Sequence, residues 1–517
     1  MKTNVIFLIG GVYSSVGKGL TLASIGSILQ ELGFSVSIIK FDPYLNINAG
    51  QLCPTEHGEI YVTSDGHEAD LDIGHYERLL CKEIHKNSCL TTSLVYKKII
   101  EKQNSEDFFG RTIQINPHFI DEIHNFIHQH IEQENNPDFL LIELGGTVGD
   151  AESKHFLEAI QSFEKKYGKK HVLFIHISPL IYLEVPKEFK TKPAQHSIKE
   201  LAKYCISPDI LILRSHLPPP KTIKTKLSKI THLPEEDIIT CKDSRHLYLV
   251  PEDLYKQKIH ERILKKLNLE PRKNTFEKWN EFTKKITNPK NKKLNVSIIG
   301  EHSSVLDSYL SITESLKFAS YELGVDLEID YLNPEEIKDI NVLNKYGAIC
   351  APYDLNTKET NKKLSVIEFC RKNNVPFLGI NQGMHFAFSE FMKNVIQKNK
   401  PDISIPLFLS LPNTRLGKTE IEVKPNTLAH KIFKKEKIEF RERHKYYLNP
   451  ELQKILQNTD LVISATSIEN PNIAEIIELK NHAFFIASQF HSEFNTNIHK
   501  VVPIFVEFIK AGINHII

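Results

Sequence analysis

The sequence predicts an α/β protein of two domains in series, each built on a parallel sheet covered by helices. Three observations predict this. Apolar, β-branched runs of strand length recur along the chain, helical patterns separate several of them, and the alternation restarts after a polar, Lys-rich interruption.

The first run, NVIFLI (4–9), ends in Gly10-Gly11 and leads through a Ser/Gly loop into the helical pattern TLASIGSILQELG. Strand runs follow at VSIIKFDPY (36–44), FLLIEL (139–144), HVLFIHIS (171–178), DILILR (209–214) and DIITC (237–241). The stretch NLEPRKNTFEKWNEFTKKITNPKNKK (268–293) is polar and Pro-punctuated, holds the only Trp, and has room for one helix. It reads as a connection between domains. The pattern resumes with NVSIIG (295–300), a helix through LKFASYELG, then DLEIDYL (326–332), YGAICA (346–351) and VPFLGI (375–380). The expected organisation is therefore a first domain at 1–268, a linker at 269–293 and a second domain at 294–517.

Bulk properties narrow the function. A chain of 517 residues suits about two to four domains. Hydrophobic residues are 41% and charged residues 25%, a globular composition. Lys plus Arg number 65 against 64 Asp plus Glu, so no global field favours nucleic acid or an acidic membrane. The N-terminus lacks a signal-peptide pattern, and no run of ~18 apolar residues occurs to span a membrane. Seven scattered cysteines without CxxC spacing read as reduced thiols in a cytoplasm.

The loop GGVYSSVGKG (10–19) sets Lys18 just before a helix. Backbone N–H groups of a Gly-rich turn and the positive end of a helix cradle phosphate oxygens, and Lys18 adds a point charge. The spacing departs from the general P-loop pattern, because five residues separate Gly11 from Gly17 and Gly19 follows the Lys.

That loop, together with KFDPYLNINAG (40–50), HGEIYVTSDGHEADLDIGHYERLL (57–80), IELGGTVGDAES (142–153) and KTKPAQHSIKEL (190–201), resembles the CTP synthase family. The resemblance implies an amidoligase domain with a dethiobiotin-synthetase-like P-loop fold. Its reaction phosphorylates the uracil O4 of UTP with ATP and lets ammonia displace the phosphate. By the same resemblance, ATP is held by Ser15, Val16, Gly17, Lys18, Gly19, Leu20, Asp72, Arg214 and Asp243, with Lys18 and Lys40 catalytic. Asp72 and Glu143 are the Mg²⁺ ligands, and Mg²⁺ favours a few hard oxygens. Ser14, Asp150, Glu152, Lys190, Lys192, Gln195 and Lys226 take UTP or CTP, and Pro54, His57 and Ile60 form the ammonia gate. The string GQLCPTEHG differs from the family at residues 51, 52 and 56.

The second half resembles class I glutamine amidotransferases, in which a Cys on a strand–loop–helix elbow works with a His held by a Glu. QFHSEF (489–494) supplies His491 and Glu493, but the elbow PFLGINQGMH (376–385) carries Asn381 at the nucleophile position. A carboxamide forms no thiolate and makes no thioester. The glycine-rich oxyanion segment is APYD (351–354) here, and Pro352 has no N–H to donate. The stretch 393–420 is short, while FRERHKYYLN (440–449) keeps the family's pattern. Cys350 and Cys370 read as structural thiols.

The sequence thus points to an ATP- and Mg²⁺-dependent ligase that aminates UTP with free ammonia, as a homotetramer. Two alternatives stay open. One is a catalytically deficient paralogue that binds nucleotides and regulates or co-assembles with a complete enzyme. The other is an amidoligase acting on another pyrimidine nucleotide.

Overall fold

The computed structural model describes residues 2–244, 246–273, 275–288, 292–302, 305–353, 361–398 and 405–516. Asp354 of the APYD segment and residues 399–404 of the shortened stretch lie outside them. The chain divides into two compact units, Met1–Asn48 with His75–Lys284, and Ala49–Gly74 with Lys285–Ile517.

Unit 1 is built on seven strands: β1 (Asn4–Gly10), β2 (Val36–Asp42), β3 (Cys89–Thr91), β4 (Phe139–Leu144), β5 (Val172–Pro179), β6 (Ile210–Ser215) and β7 (Ile238–Lys242). They pair in parallel in the order β7-β6-β5-β1-β4-β2-β3. Every residue of β1, β2, β4 and β5 is buried, as expected of a sheet covered on both faces. Phe7, Ile39, Leu140, Ile142, Phe156 and Phe174 belong to one of its cores. The helix Lys18–Glu31 is buried through most of its length, which matches its all-round apolar sequence.

The one helix expected in the Lys-rich connection spans Glu277–Thr287. Much of that connection packs as part of unit 1. Trp279 is buried and donates its indole N–H to the Tyr248 carbonyl at 3.1 Å, while Phe276 stacks on Tyr255 at 4.2 Å. Large aromatic rings bury too much area to stand in solvent when a core is within reach.

The main sheet of unit 2 has nine strands among the described residues: β8 (Lys292–Ile299), β9 (Val325–Leu332), β10 (Ala348–Ala351), β11 (Phe377–Ile380), β12 (Phe408–Val423), β13 (Lys437–Leu448), β14 (Leu461–Ser467), β15 (Ala474–Leu479) and β16 (Phe485–Ser488). Their order is β9-β8-β10-β11-β16-β15-β14-β12-β13, parallel from β9 to β16 and antiparallel beyond. The arm Ala49–Gly74 groups with this unit, although it lies in the first domain by sequence.

The turn after β11 brings the helix Gln382–Phe391 against the end of β10. A Cβ on Gly383 would stand 2.1 Å from the Ala351 carbonyl oxygen, a backbone atom that cannot turn aside. We expect Gly383→Ala to destabilise unit 2 by about 1–3 kcal/mol, the range for overpacking a tight interior site. Chemical denaturation followed by tryptophan-independent far-UV dichroism reads this directly, and an unchanged midpoint would remove the close approach.

Candidate functional site

In unit 1 the sequence-predicted residues collect at the C-terminal ends of parallel strands, where open α/β sheets bind ligands. The loop after β1 has Ser15 at φ 60° and Gly17 at φ 84°, left-handed turns that aim successive N–H groups the same way. Ser14 and Ser15 are exposed, whereas Val16, Lys18, Gly19 and Leu20 are buried. Lys18 opens the helix and donates from Nζ to the Gly146 carbonyl at 2.9 Å.

Register explains the next pair. Lys40 of β2 stands opposite Glu143 of β4, and Lys40 Nζ lies 2.9 Å from Glu143 Oε1. Asp42 is 3.8 Å from the same ammonium, and the Tyr76 hydroxyl donates to the other Glu143 oxygen. Glu143 is 1% exposed, so its charge depends on these partners. A hard carboxylate held in this way suits Mg²⁺, which takes one or two protein oxygens beside phosphates and water. Among the described residues no group of three or more His, Cys, Asp or Glu forms a metal cluster.

Arg214 at the end of β6 pairs with Asp243 at 3.0 Å and comes within 4.0 Å of where a Cβ on Gly17 would stand. Asp150 accepts the Thr147 N–H at 2.8 Å, and Asp150 and Glu152 are exposed. Lys192 starts the helix Lys192–Lys203, in which Gln195 donates to Thr191 Oγ1 at 2.9 Å. Lys190 pairs instead with Glu188 inside the hairpin Ile181–Leu183/Glu188–Lys190, and Lys226 is exposed on the helix Lys221–Thr231.

Four predicted residues, Pro54, His57, Ile60 and Asp72, belong to the arm of unit 2. His57 is exposed at the end of the short helix Pro54–His57. The Asp72 N–H donates to Asp70 Oδ1 at 3.0 Å. Burial, and then the charge of Asp72, lift the Asp307 carboxyl above the ordinary range.

Unit 2 carries the elbow. Asn381 follows β11 at φ 54°, ψ −107°, and its N–H donates to the Ser488 carbonyl at 2.7 Å. Its Nδ2 donates to the Arg443 carbonyl at 2.8 Å and lies 3.0 Å from His491 Nε2. His491 Nδ1 is 2.7 Å from Glu493 Oε1. The Glu–His–elbow order of a nucleophilic triad is therefore present, with an amide where the nucleophile would sit. Beside Pro352, the Tyr353 ring lies edge-on to His491 at 6.1 Å and under the Arg443 guanidinium at 5.1 Å.

A cavity of about 610 Å³ opens at Asn381, with Gly50, Glu68, His385, Arg443 and His444 in its walls. Burial pushes both His385 and His444 down to about 4, so these imidazoles are uncharged near neutrality. Below it, buried Glu442 and Glu475 are both raised, first by burial, Glu475 further by the neighbouring Glu442 charge. Arg415 Nη1 meets Glu475 at 2.7 Å, and His444 Nδ1 meets Glu442 at 2.8 Å. A second, small cavity of about 40 Å³ touches Pro54, Ile60, His491 and Glu493. A water needs ~10–15 Å³, so it holds molecules of ammonia size.

Sequence reasoning missed Tyr76, Arg441, Arg443 and the Arg415–Glu475–Glu442–His444 network. Tyr76 lies in the 57–80 string and Arg441, Glu442, Arg443 and His444 lie in FRERHKYYLN, whereas Arg415 and Glu475 fall in no family-like string.

Comparison with known proteins agrees in both halves. The family described as CTP synthase N-terminus matches residues 4–269, and glutamine amidotransferase class-I matches residues 304–511. A CTP synthase of Microcystis aeruginosa is 37% identical over 98% of this chain and 96% of its own. One from Methanocaldococcus jannaschii is 38% identical, covering 98% of each chain, and one from Staphylococcus saprophyticus is 36% identical, covering 99% of each.

Cys350 and Cys370 are fully buried, and burial raises both thiols, Cys350 further through Glu493. A thiol held protonated is a poor nucleophile. We expect native-state alkylation to label the exposed Cys53 and Cys205 while sparing Cys350 and Cys370 until denaturant is added. Peptide mass spectrometry would read the pattern. Rapid native labelling of Cys350 would identify it as a usable nucleophile.

Proposed function

From the premise that the chain belongs to the CTP synthase family, we propose that it aminates UTP to CTP with ATP and free ammonia, its glutaminase half having no nucleophile. The observation that carries the second clause is Asn381, whose amide nitrogen is already committed to Arg443 and His491. The functional division would follow the chain, an amidoligase domain at 1–268 and a glutaminase-like domain at 294–517 joined by 269–293.

ATP transfers its γ-phosphoryl to uracil O4 with loss of the N3 proton, leaving ADP, and NH₃ adds at C4. Loss of a proton and departure of phosphate with the C4–O4 bond then give the 4-amino product. Lys18 and Lys40 would neutralise charge moving onto the transferred phosphoryl, with the backbone N–H groups at 15–20 holding the remaining oxygens. Mg²⁺ would be taken by Glu143 and Asp72, supplying further charge neutralisation on the phosphates. Arg214 and Asp243 would meet the nucleoside end of ATP. Ser14, Asp150, Glu152, Lys190, Lys192, Gln195 and Lys226 would meet UTP. Pro54, His57 and Ile60 would admit ammonia, a role supported by Pro54 and Ile60 lining the small cavity. A homotetramer and a cytoplasmic location belong to the same proposal.

The tests follow from each role. Lys18→Ala and Asp72→Asn should each abolish turnover while the protein stays folded by dichroism, and near-normal CTP formation by either would remove that residue's assignment. Light scattering with ATP and UTP should give a tetramer, whereas a monomer that still made CTP would exclude one. Ammonium should support CTP formation, measured by chromatography, and the rate should rise with pH as neutral NH₃ grows. Glutamine should yield neither CTP nor glutamate. Asn381→Cys alone should not restore glutamine use, since the Ala351-Pro352 strand end lacks donors worth on the order of 10²–10³ in rate each. Glutamine-driven synthesis by the unmodified protein, at a rate like that with ammonia, would overturn the reading.

A further inference from the structure

We propose that Asn381 is a positioning residue for the ligase reaction: through Arg443 and His491 it holds the arm Ala49–Gly74 in its working conformation. The inference rests on the ammonia-dependent reading above and assigns the silent elbow a present task.

Two arginines of one strand grip the arm. Arg443 of β13 donates from Nε to Glu68 at 2.9 Å and from Nη2 to the Gly50 carbonyl at 3.2 Å. Two residues earlier, Arg441 Nη1 donates to the Tyr61 hydroxyl at 2.9 Å and to the Val62 carbonyl at 3.1 Å. Tyr61 in turn donates to the Phe494 carbonyl at 3.1 Å and packs its ring on Phe494 at 4.6 Å. Further along the arm, Glu59 accepts the Ser311 N–H at 2.8 Å.

Asn381 fixes both ends of this grip. An amide nitrogen carries two hydrogens, and here one points at the backbone of Arg443 while the other points at His491. His491 stacks on Phe494 at 5.0 Å, and its N–H donates to the Arg441 carbonyl at 2.9 Å. A thiol has one hydrogen and a weak one, so it could not serve both acceptors. The substitution that removes the nucleophile therefore adds a bond to the strand holding the arm. The arm carries Asp72 and His57, the residues proposed above for metal and ammonia. An arm ordered in only a fraction of molecules would weaken apparent substrate affinity by that fraction.

Hydrogen exchange and steady-state kinetics on the full-length protein test this. In Asn381→Ala, amides of 49–74 in the nucleotide-free protein should exchange about tenfold faster, with the strands of unit 2 unchanged. With ammonium as nitrogen source, KM for magnesium-ATP should rise about tenfold while kcat is nearly kept, because saturating substrate selects the ordered arm. A general loss of folded protein would lower kcat and leave KM alone. Asn381→Asp keeps the shape but its carboxylate has no hydrogen for the Arg443 carbonyl, so it should loosen the arm likewise even if the alanine variant folds poorly. Arg443→Lys, which loses the forked contact, should reproduce the exchange pattern. Wild-type protection of 49–74 in both Asn381 variants would overturn the proposal. That result is independent of whether glutamine is used, because exchange is read without any substrate.

Discussion

The backbone turn at Asn381 is the constraint on which unit 2 depends. A non-glycine residue at φ 54°, ψ −107° stores strain of about 1–3 kcal/mol and persists only where its surroundings over-determine it. Here they do. The turn is pinned to β16 through the Ser488 carbonyl, to β13 through Arg443, and to the segment after β16 through His491. In an active amidotransferase such an elbow presents a thiol to solvent and substrate. In this chain the Asn381 side chain bonds Arg443 and His491 from that turn, and Gly383 behind it keeps the close packing against β10.

Unit 1 solves a different problem, which is to keep several charges at the mouth of an apolar sheet. A buried charge without a partner costs far more than a paired one. The parallel register of β2 and β4 answers this by setting Lys40 directly across from Glu143, with Tyr76 closing the second carboxylate oxygen. Lys18 is buried and leans on a backbone carbonyl. Both cations are thereby anchored by partners from neighbouring strands and loops.

Burial also separates groups that share a chemistry. Glu442 and Glu475 lie in contact beneath the cavity and are raised together, a pair that favours retaining a proton, while Arg415 balances the remaining charge. His385 and His444 are driven the other way and stay uncharged in the cavity wall. The wall beside Asn381 is accordingly polar, with the Arg443–Glu68 pair and Lys445 as its charged side chains, and burial raises the Cys350 thiol.

The sequence by itself determined the strands, the glycine-rich loop before Lys18 and the Asn at the elbow. Runs such as FLLIEL and VPFLGI are local signals, and they hold the whole of β4 and of β11 because apolar residues in short stretches fit a buried parallel sheet. Gly17 before Lys18 and Asn381 after a strand were legible for the same reason, since each meaning lies within a few residues. Tertiary structure alone decided where the arm belongs and what Asn381 touches. The partners Arg441 and Tyr61 are 380 residues apart, and Arg443 and Glu68 are 375 apart. Periodicity is blind to such pairs because it reports which face of an element is apolar and not which distant polar group will neutralise a buried arginine.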